Sequence, residues 1–350
     1  MAAPQGHEYN HQHPLPSENL KLLLWHKNVQ LKMTNTILII GAGIAGLSAA
    51  QRLAEANLPV LVLDKGKGMG GRMATRRVGE AVFDHGAQFF SAKTPDFQHF
   101  VGKAAELGIA REWWPGIADT RHPRWVGTNG MNAVTKFLGE TQSVHQGKKV
   151  IQIQAISGGW RVSTDDHEPL EGAALLITIP APQALDLLEN SGFHLPENPL
   201  RQIAYHPCLA LMATLDRPSS IPSPGGLQTN GAVVSWLADN YQKGISKVPS
   251  VTIHASPDFS RKHLDGDLQE AGKLMLDAVQ VFINPAEVLE WHIHPWRYSL
   301  AYERHPAPFF EAETAAPLLF GGDGFGIGNV EGAYLSGLAM AEQLIGNSKR

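Results

Sequence analysis

One cysteine, Cys208, stands in 350 residues. It excludes a disulfide framework within the chain and a cysteine-based zinc site, and it fits a reducing, cytoplasmic setting. Long apolar runs are lacking too. No stretch approaches the roughly 18 apolar residues of a membrane helix. The run from Leu20 to Trp25 is too short for a signal peptide, and no small-residue cleavage site follows it. A basic surplus is also missing: the formal net charge is -4 and the basic residues are scattered, so no footprint for nucleic acid is present. The expectation is a soluble, cytoplasmic protein with neither a nucleic-acid nor a membrane partner. Oligomeric state is left open.

What is present is a chain 43% hydrophobic, ample for a large core and long enough for two domains or one elaborate one. Residues 1–32 differ from the rest, being rich in His, Pro, Asn and Gln and ending just before Met33. They read as a disordered extension, or as an upstream start with Met33 the ancestral one. His7-Glu8-Tyr9-Asn10-His11 matches the zinc-protease pattern H-E-x-x-H. That chemistry needs both histidines on one face of a rigid helix, and Pro14 and Pro16 follow at once. The match reads as chance, and no metal site is expected.

The strongest local signal begins at Thr36-Ile37-Leu38-Ile39-Ile40, an apolar, β-branched run that reads as a buried parallel strand. Gly41-Ala42-Gly43-Ile44-Ala45-Gly46 follows, then a helix rich in Ala and Leu from Leu47 to Ala56, then a second strand from Pro59 to Leu63 ending in Asp64. This is the dinucleotide fingerprint in register. Gly41 permits the tight turn, Gly43 lets backbone approach a pyrophosphate, and Gly46 lets helix pack on strand. The helix N-terminus offers free N–H groups to phosphate, and Asp64 can accept from the adenosine ribose.

Which dinucleotide is bound turns on the next segment. Lys65-Gly66-Lys67-Gly68-Met69-Gly70-Gly71-Arg72 is a glycine-rich loop closing on an arginine, similar to the G-G-R loop that FAD proteins of the glutathione-reductase superclass place against pyrophosphate and flavin. Arg72 is expected to give charge-assisted hydrogen bonds to phosphate. Late in the chain, Leu318-Leu319-Phe320 is a short strand followed by Gly321-Gly322-Asp323-Gly324, and Gly328-Asn329-Val330-Glu331 opens a helix. In that superclass a late Gly-Asp holds the ribityl chain or phosphate, and the helix N-terminus faces the flavin pyrimidine, favouring its anionic reduced form. Gly324, Gly326 and Gly328 do not complete a second βαβ unit, so no second dinucleotide domain is expected.

These motifs, with Asp84-His85-Gly86-Ala87-Gln88-Phe89-Phe90, Gly130-Met131-Asn132, Thr178-Ile179-Pro180-Ala181-Pro182-Gln183 and His294-Pro295-Trp296-Arg297-Tyr298, resemble the renalases, small FAD oxidoreductases related to the flavin monoamine oxidases. The resemblance spans nearly all of residues 34–345. It implies that Ala45 and Arg72 touch FAD, that Gln88 and Phe89 lie beside the flavin ring, and that Val150 is the backbone clamp on adenine. Gly41, Gly43, Gly46, Asp64, Lys65, Gly71, Asp323 and Val330 complete the expected cofactor set. His85 stands where relatives often have Leu, and a position behind the site or exposed to solvent is expected for it.

Trp296 and Tyr298 share one face of an expected strand, either as a flat slot for a planar substrate or as core. Trp113, Trp114 and Trp125 with Arg111, Arg121 and Arg124 form an aromatic and basic cluster, either for an anionic substrate or as a solvated loop.

The expected fold is α/β, a doubly wound FAD-binding domain of the glutathione-reductase type with an inserted α+β substrate domain. The FAD domain is assigned residues 33–92, 127–183 and 313–350, and the substrate domain 93–126 and 184–312. The resemblance implies an oxidase that takes hydride from a small-molecule substrate, an isomeric 2- or 6-dihydro-NAD(P), and passes electrons from non-covalent FAD to O2, giving H2O2. Such chemistry requires no side-chain base, and no catalytic side chain is assigned. Amine oxidation and a non-catalytic FAD-binding scaffold stay open.

Overall fold

The structure is a computed structural model that describes residues 35–114, 122–166 and 169–347. The extension at 1–32, with His7 to His11, lies outside the described residues, as does Arg121. The expected strand forms at Ile37–Ile40, every residue of it buried. It sits centrally in a six-stranded sheet, ordered Phe309–Glu311, Leu318–Gly321, Ala174–Ile177, Ile37–Ile40, Val60–Asp64, Val144–Gln146. All neighbours pair in parallel except Phe309–Glu311, which is antiparallel at one edge.

Because side chains alternate across a strand, the sheet feeds two cores. Ile37, Ile39, Val62, Leu176 and Leu319 pack with the helices Ile44–Glu55 and Asn329–Asn347 on one face. Leu38, Ile40, Leu63, Leu175 and Phe320 pack on the other with the helix Ala181–Asn190 and with Ile153, Trp160 and Val162. These last three belong to a separate three-stranded sheet of Val150–Ile156, Gly159–Thr164 and Pro169–Gly172. Helices therefore cover both faces of a mostly parallel sheet, and the α/β class read from the sequence is the one observed.

A second, five-stranded antiparallel sheet is ordered Gly226–Gln228, Val234–Asp239, Ser250–Ala255, Ala204–Leu215, Val288–Glu303. Leu209, Leu211 and Ala213 bury one face against Ala271, Met275 and Leu276 of the helix Leu268–Asp277. Met212, on the opposite face, packs against Ala81 and Phe83, which turns that face toward the segment beginning at Asp84.

Two segments counted with the substrate domain pack with the nucleotide sheet instead. Phe309–Glu311 is its edge strand, because a short turn folds it back on Leu318–Gly321. The helix Pro95–Glu106 buries Phe97, Phe100, Val101 and Ala104 in the core of the first helix. Among the described residues no helix is long and apolar enough to cross a membrane.

Candidate functional site

The fingerprint folds into a cradle. Gly41 has φ +111°, and its N–H donates to the Leu63 carbonyl at 2.8 Å. A Cβ at Gly46 would lie 2.0 Å from the Gly41 carbonyl oxygen, so only glycine lets the helix start this close to the turn. A Cβ at Gly43 would meet no atom within 4 Å, and no side chain caps the helix there. Open space before uncapped N–H groups suits a phosphate. Gly70 donates to the Ala42 carbonyl at 2.9 Å, and a Cβ at Gly71 would lie 3.5 Å from the Gly43 Cα. The second glycine loop thus lies over the first, and together they leave a cradle that suits the diphosphate of a dinucleotide.

Asp64 accepts from the Ala42 and Gly66 N–H groups, both at 2.6 Å. One oxygen goes to each, so it ties the two loops together and keeps lone pairs for a ribose. Lys148 donates to the Asp64 carbonyl at 2.8 Å, which brings Val150, the start of its strand, to the same end of the sheet. Lys65 is exposed, with its ammonium 3.2 Å from Gln183 Oε1. Ala45 is buried where the C-terminal helix crosses the first: a Cβ at Gly337 would lie 2.1 Å from its carbonyl oxygen.

Arg72 and Asp323, 251 residues apart, form a bidentate ion pair, Nη1 to Oδ2 at 2.5 Å and Nη2 to Oδ1 at 2.7 Å. The guanidinium expected on phosphate is therefore gripped by the carboxylate expected on the ribityl chain. Arg72 also donates to the Tyr298 carbonyl at 3.4 Å and lies 5.6 Å over the Tyr205 ring. Burial is the largest influence and opposes its charge, but Asp323 and Tyr205 together overcome it and the pKa is raised. Val330 is half-buried in the first turn of the C-terminal helix. Beside it, Glu331 is buried and accepts from Lys93 N, Thr94 N and Thr94 Oγ1 at 2.9, 2.7 and 2.8 Å.

The segment from Asp84 to Phe89 presses on Arg72: Ala87 donates to the Arg72 carbonyl at 2.8 Å, and a Cβ at Gly86 would lie 2.0 Å from that oxygen. Gln88 folds back, its Nε2 donating to the Asp84 and Gly86 carbonyls at 2.6 and 3.0 Å, which fixes the amide with Oε1 unpartnered. Phe89 packs at ring distances of 5.6 Å on Trp236 and 6.4 Å on Trp113, with Arg124 stacked 4.8 Å from its ring.

The second sheet roofs this segment. Its register places Trp236, His254, Ala210 and His294 in one row across four strands. Trp296 and Tyr298 continue along the last strand, both half-buried. Trp296 donates from Nε1 to the His85 carbonyl at 2.7 Å, and its ring stacks on His85 at 5.2 Å and meets His294 at 4.1 Å. Tyr298 packs edge-on to Tyr205 at 6.0 Å.

His85 is therefore not exposed: it is 7% accessible and wedged under the roof. Burial, then His294, pushes its pKa down to about 3, and burial pushes His254 down to about 4. His294 is lowered by burial and by Arg76. The three imidazoles at the roof, of His85, His254 and His294, are neutral at neutral pH.

The aromatic and basic cluster is largely spent on structure. Trp113 is buried and donates to the Pro224 carbonyl at 2.9 Å, and Trp114 packs edge-on to it at 6.0 Å. Trp125 bridges to Phe90. Arg111 donates to the Lys243 carbonyl, and Arg124 donates to Ser91 Oγ at 2.6 Å.

Three neighbours of the site, Trp236, His254 and Lys243, are not singled out by the sequence, and His294 is marked there only as part of a motif. Trp236, His254 and His294 meet through the register between strands. Lys243 sits in a polar turn that reads as surface, and no sequence signal marks it.

Residues 39–104 match the NAD(P)-binding Rossmann-like domain, and residues 116–345 match the flavin containing amine oxidoreductase family. With the cradle and the roofed segment in place, the chain is a flavin-dependent oxidoreductase. It belongs to the flavin containing amine oxidoreductase family. It is similar to renalase from Mus musculus, 25% identical over 346 residues that cover 88% of this chain and 98% of that one. Putrescine oxidase bound to putrescine shares the fold, with a TM-score of 0.68 at 15% identity over 90% of this chain and 99% of that one.

Proposed function

We propose that this oxidoreductase is a renalase-like oxidase that holds FAD non-covalently and oxidises an isomeric 2- or 6-dihydro-NAD(P), with O2 as acceptor and H2O2 as product. One observation carries the substrate class: the roof row of Trp236, His254, Ala210 and His294, continued by Trp296 and Tyr298, is rich in rings and holds no carboxylate. Asp84 and Asp323, which lie beside it, are each paired with a cation. A planar, uncharged ring fits such a slot, whereas a protonated amine finds no counter-charge in it.

FAD, when bound, supplies the hydride acceptor and the route to O2. The chain's own part is to bind and orient. Gly41 to Gly46, Gly70 and Gly71 cradle the diphosphate, Asp64 and Val150 hold the adenosine end, and Arg72 with Asp323 closes on the ribityl side. Gln88 and Phe89, with Ala87 before them, would lie beside the flavin ring. A substrate leaving as an aromatic cation requires no base, and the neutral imidazoles of His85, His254 and His294 offer none of consequence above their lowered pKa values. Cys208 is buried with its thiol pushed up to about 12 by burial, so it is a poor partner for a thioether, and acid should release the flavin intact. A cytoplasmic location belongs to the same reading.

The family match favours a second reading, amine oxidation. Anaerobic mixing separates the two. The 2- or 6-dihydro isomers should bleach the flavin rapidly. Ordinary NADH, with its hydride opposite the ring nitrogen, should do so on the order of 10²-fold more slowly, since a misplacement near 1 Å costs about that much. Peroxide should form in proportion once air is admitted. Equal rates with every isomer, or fast bleaching by amines alone, would overturn the substrate, and no bleaching by either class would turn the reading toward a scaffold.

A further inference from the structure

Lys243 follows the strand Val234–Asp239, yet its side chain and that of Asp84 are both fully buried. Its ammonium donates to Asp84 Oδ2 and to the Gln88 carbonyl, each at 2.7 Å, and lies 5.2 Å from the Trp113 ring. Asp84 accepts in addition from Thr75 Oγ1 at 2.7 Å and from Met131 N at 2.8 Å. Arg111 donates to the Lys243 carbonyl and so holds the turn that delivers the side chain. Burial draws the pKa of the ammonium down, and the Asp84 carboxylate works against that.

A buried ion pair is a weak stabiliser, and apolar side chains of like volume often do as well. What the ammonium does that an apolar group cannot is grip both ends of one segment. It holds the side chain of Asp84 and the main chain of Gln88. Between them lie His85, whose carbonyl takes the Trp296 indole, and Gly86 and Ala87, which press on Arg72.

We propose that Lys243 is a positioning residue: it reaches from the turn after a strand of the substrate sheet, clamps the Asp84–Phe89 segment, and so sets the distance between the roof and the flavin. This rests on the placement of Gln88 and Phe89 beside the flavin ring. The clamp also ties the turn that follows Val234–Asp239 to the segment that begins at Asp84.

The test compares two double variants in the flavin-loaded protein. Asp84→Asn/Lys243→Met removes both charges and leaves the Gln88 carbonyl without its donor. Asp84→Asn/Lys243→Gln is also uncharged but keeps an amide donor. Both should fold by far-UV circular dichroism. The Met variant should show an altered visible circular dichroism of the flavin and a limiting rate of flavin reduction lower by roughly 10- to 100-fold. Its half-saturating concentration should stay within about twofold, the signature of lost orientation rather than lost binding. The Gln variant should recover most of the rate and the spectrum.

A Met variant with wild-type rate and spectrum overturns the proposal. So do Met and Gln variants impaired alike, and so does failure of both to fold, since the ammonium would then be a core element only. Wild-type flavin untouched by dihydronicotinamides would sink the substrate reading instead, and the flavin spectra of the two variants would still decide Lys243.

Discussion

Arg72→Ala is the most informative single perturbation, because the structure assigns its guanidinium to Asp323. Hydrogen bonds to charged groups contribute about 1.5–3 kcal/mol each, and this pair makes two in parallel at 2.5 and 2.7 Å. The side chains are 25% and 13% exposed, so solvent screens part of the interaction and a coupling of about 2 kcal/mol is expected. Truncating Arg72 also leaves the Asp323 carboxylate unpaired where a cofactor phosphate or ribityl chain is expected. The single variant should therefore weaken flavin binding roughly 10- to 150-fold, about 1.5–3 kcal/mol, while the apoprotein stays folded. Removing the carboxylate as well should recover some of that loss. The assay is a double-mutant cycle on flavin Kd, read by fluorescence quenching on titrating apoprotein, with urea unfolding of each apoprotein beside it. Arg72→Ala/Asp323→Ala should bind flavin no more weakly than Arg72→Ala. Effects that simply add, within about 0.5 kcal/mol, would refute the pairing as the basis of the site.

Two glycines should separate folding from binding. Gly43→Ala meets open space at φ −78°, so apoprotein stability should hold or rise by about 0.4–1 kcal/mol while flavin affinity falls at least about tenfold. Gly46→Ala drives a Cβ into the Gly41 carbonyl and should cost the apoprotein about 1–3 kcal/mol or more in urea unfolding; equal apoprotein stabilities would refute the contrast. The buried imidazoles give a pH dependence of definite sign. His254 and His85 are depressed to about 4 and about 3, so the unfolded chain takes up protons first, and their contribution, complete above about pH 6.5, is lost as pH falls below it. His254→Asn should flatten the stability profile between about pH 6.5 and 4, and a profile parallel to wild type would remove His254 from the account.

The fold was legible where the signal is local. Ile37 to Asp64 carries strand, turn, helix and strand within one stretch, each marked by its own residue types, and the α/β class follows from it. Gly322 and Asp323 could be tied to the same cofactor by pattern, but not to Arg72 by contact, because nothing local reports a pairing across 251 positions. Asp64 shows the same limit at short range: its type and spacing pointed to a ribose, while its bonds to Ala42 and Gly66 belong to backbone geometry. The roof was half legible. Trp296 and Tyr298 stand out on one strand by alternation. Trp236, His254 and His294 meet only through the register of four strands, which no single stretch encodes. Phe309 and Phe310 sit close to the boundary assigned at 313, and a short hairpin carried them across it.

The order of strands in the six-stranded sheet also bears on how the protein is made. Ile37–Ile40 emerges from the ribosome early, but its neighbour Ala174–Ile177 comes far later, and the strand beyond that, Leu318–Gly321, comes later still. At about 5–20 residues per second, tens of seconds separate the first strand from the last. Until Ala174–Ile177 is made the apolar run of the first strand can pair only with Val60–Asp64, and to the end of that time Arg72 has no Asp323 to meet. The cofactor cradle is thus finished at the end of synthesis, and its earliest segment is the one longest exposed to chaperones and to aggregation.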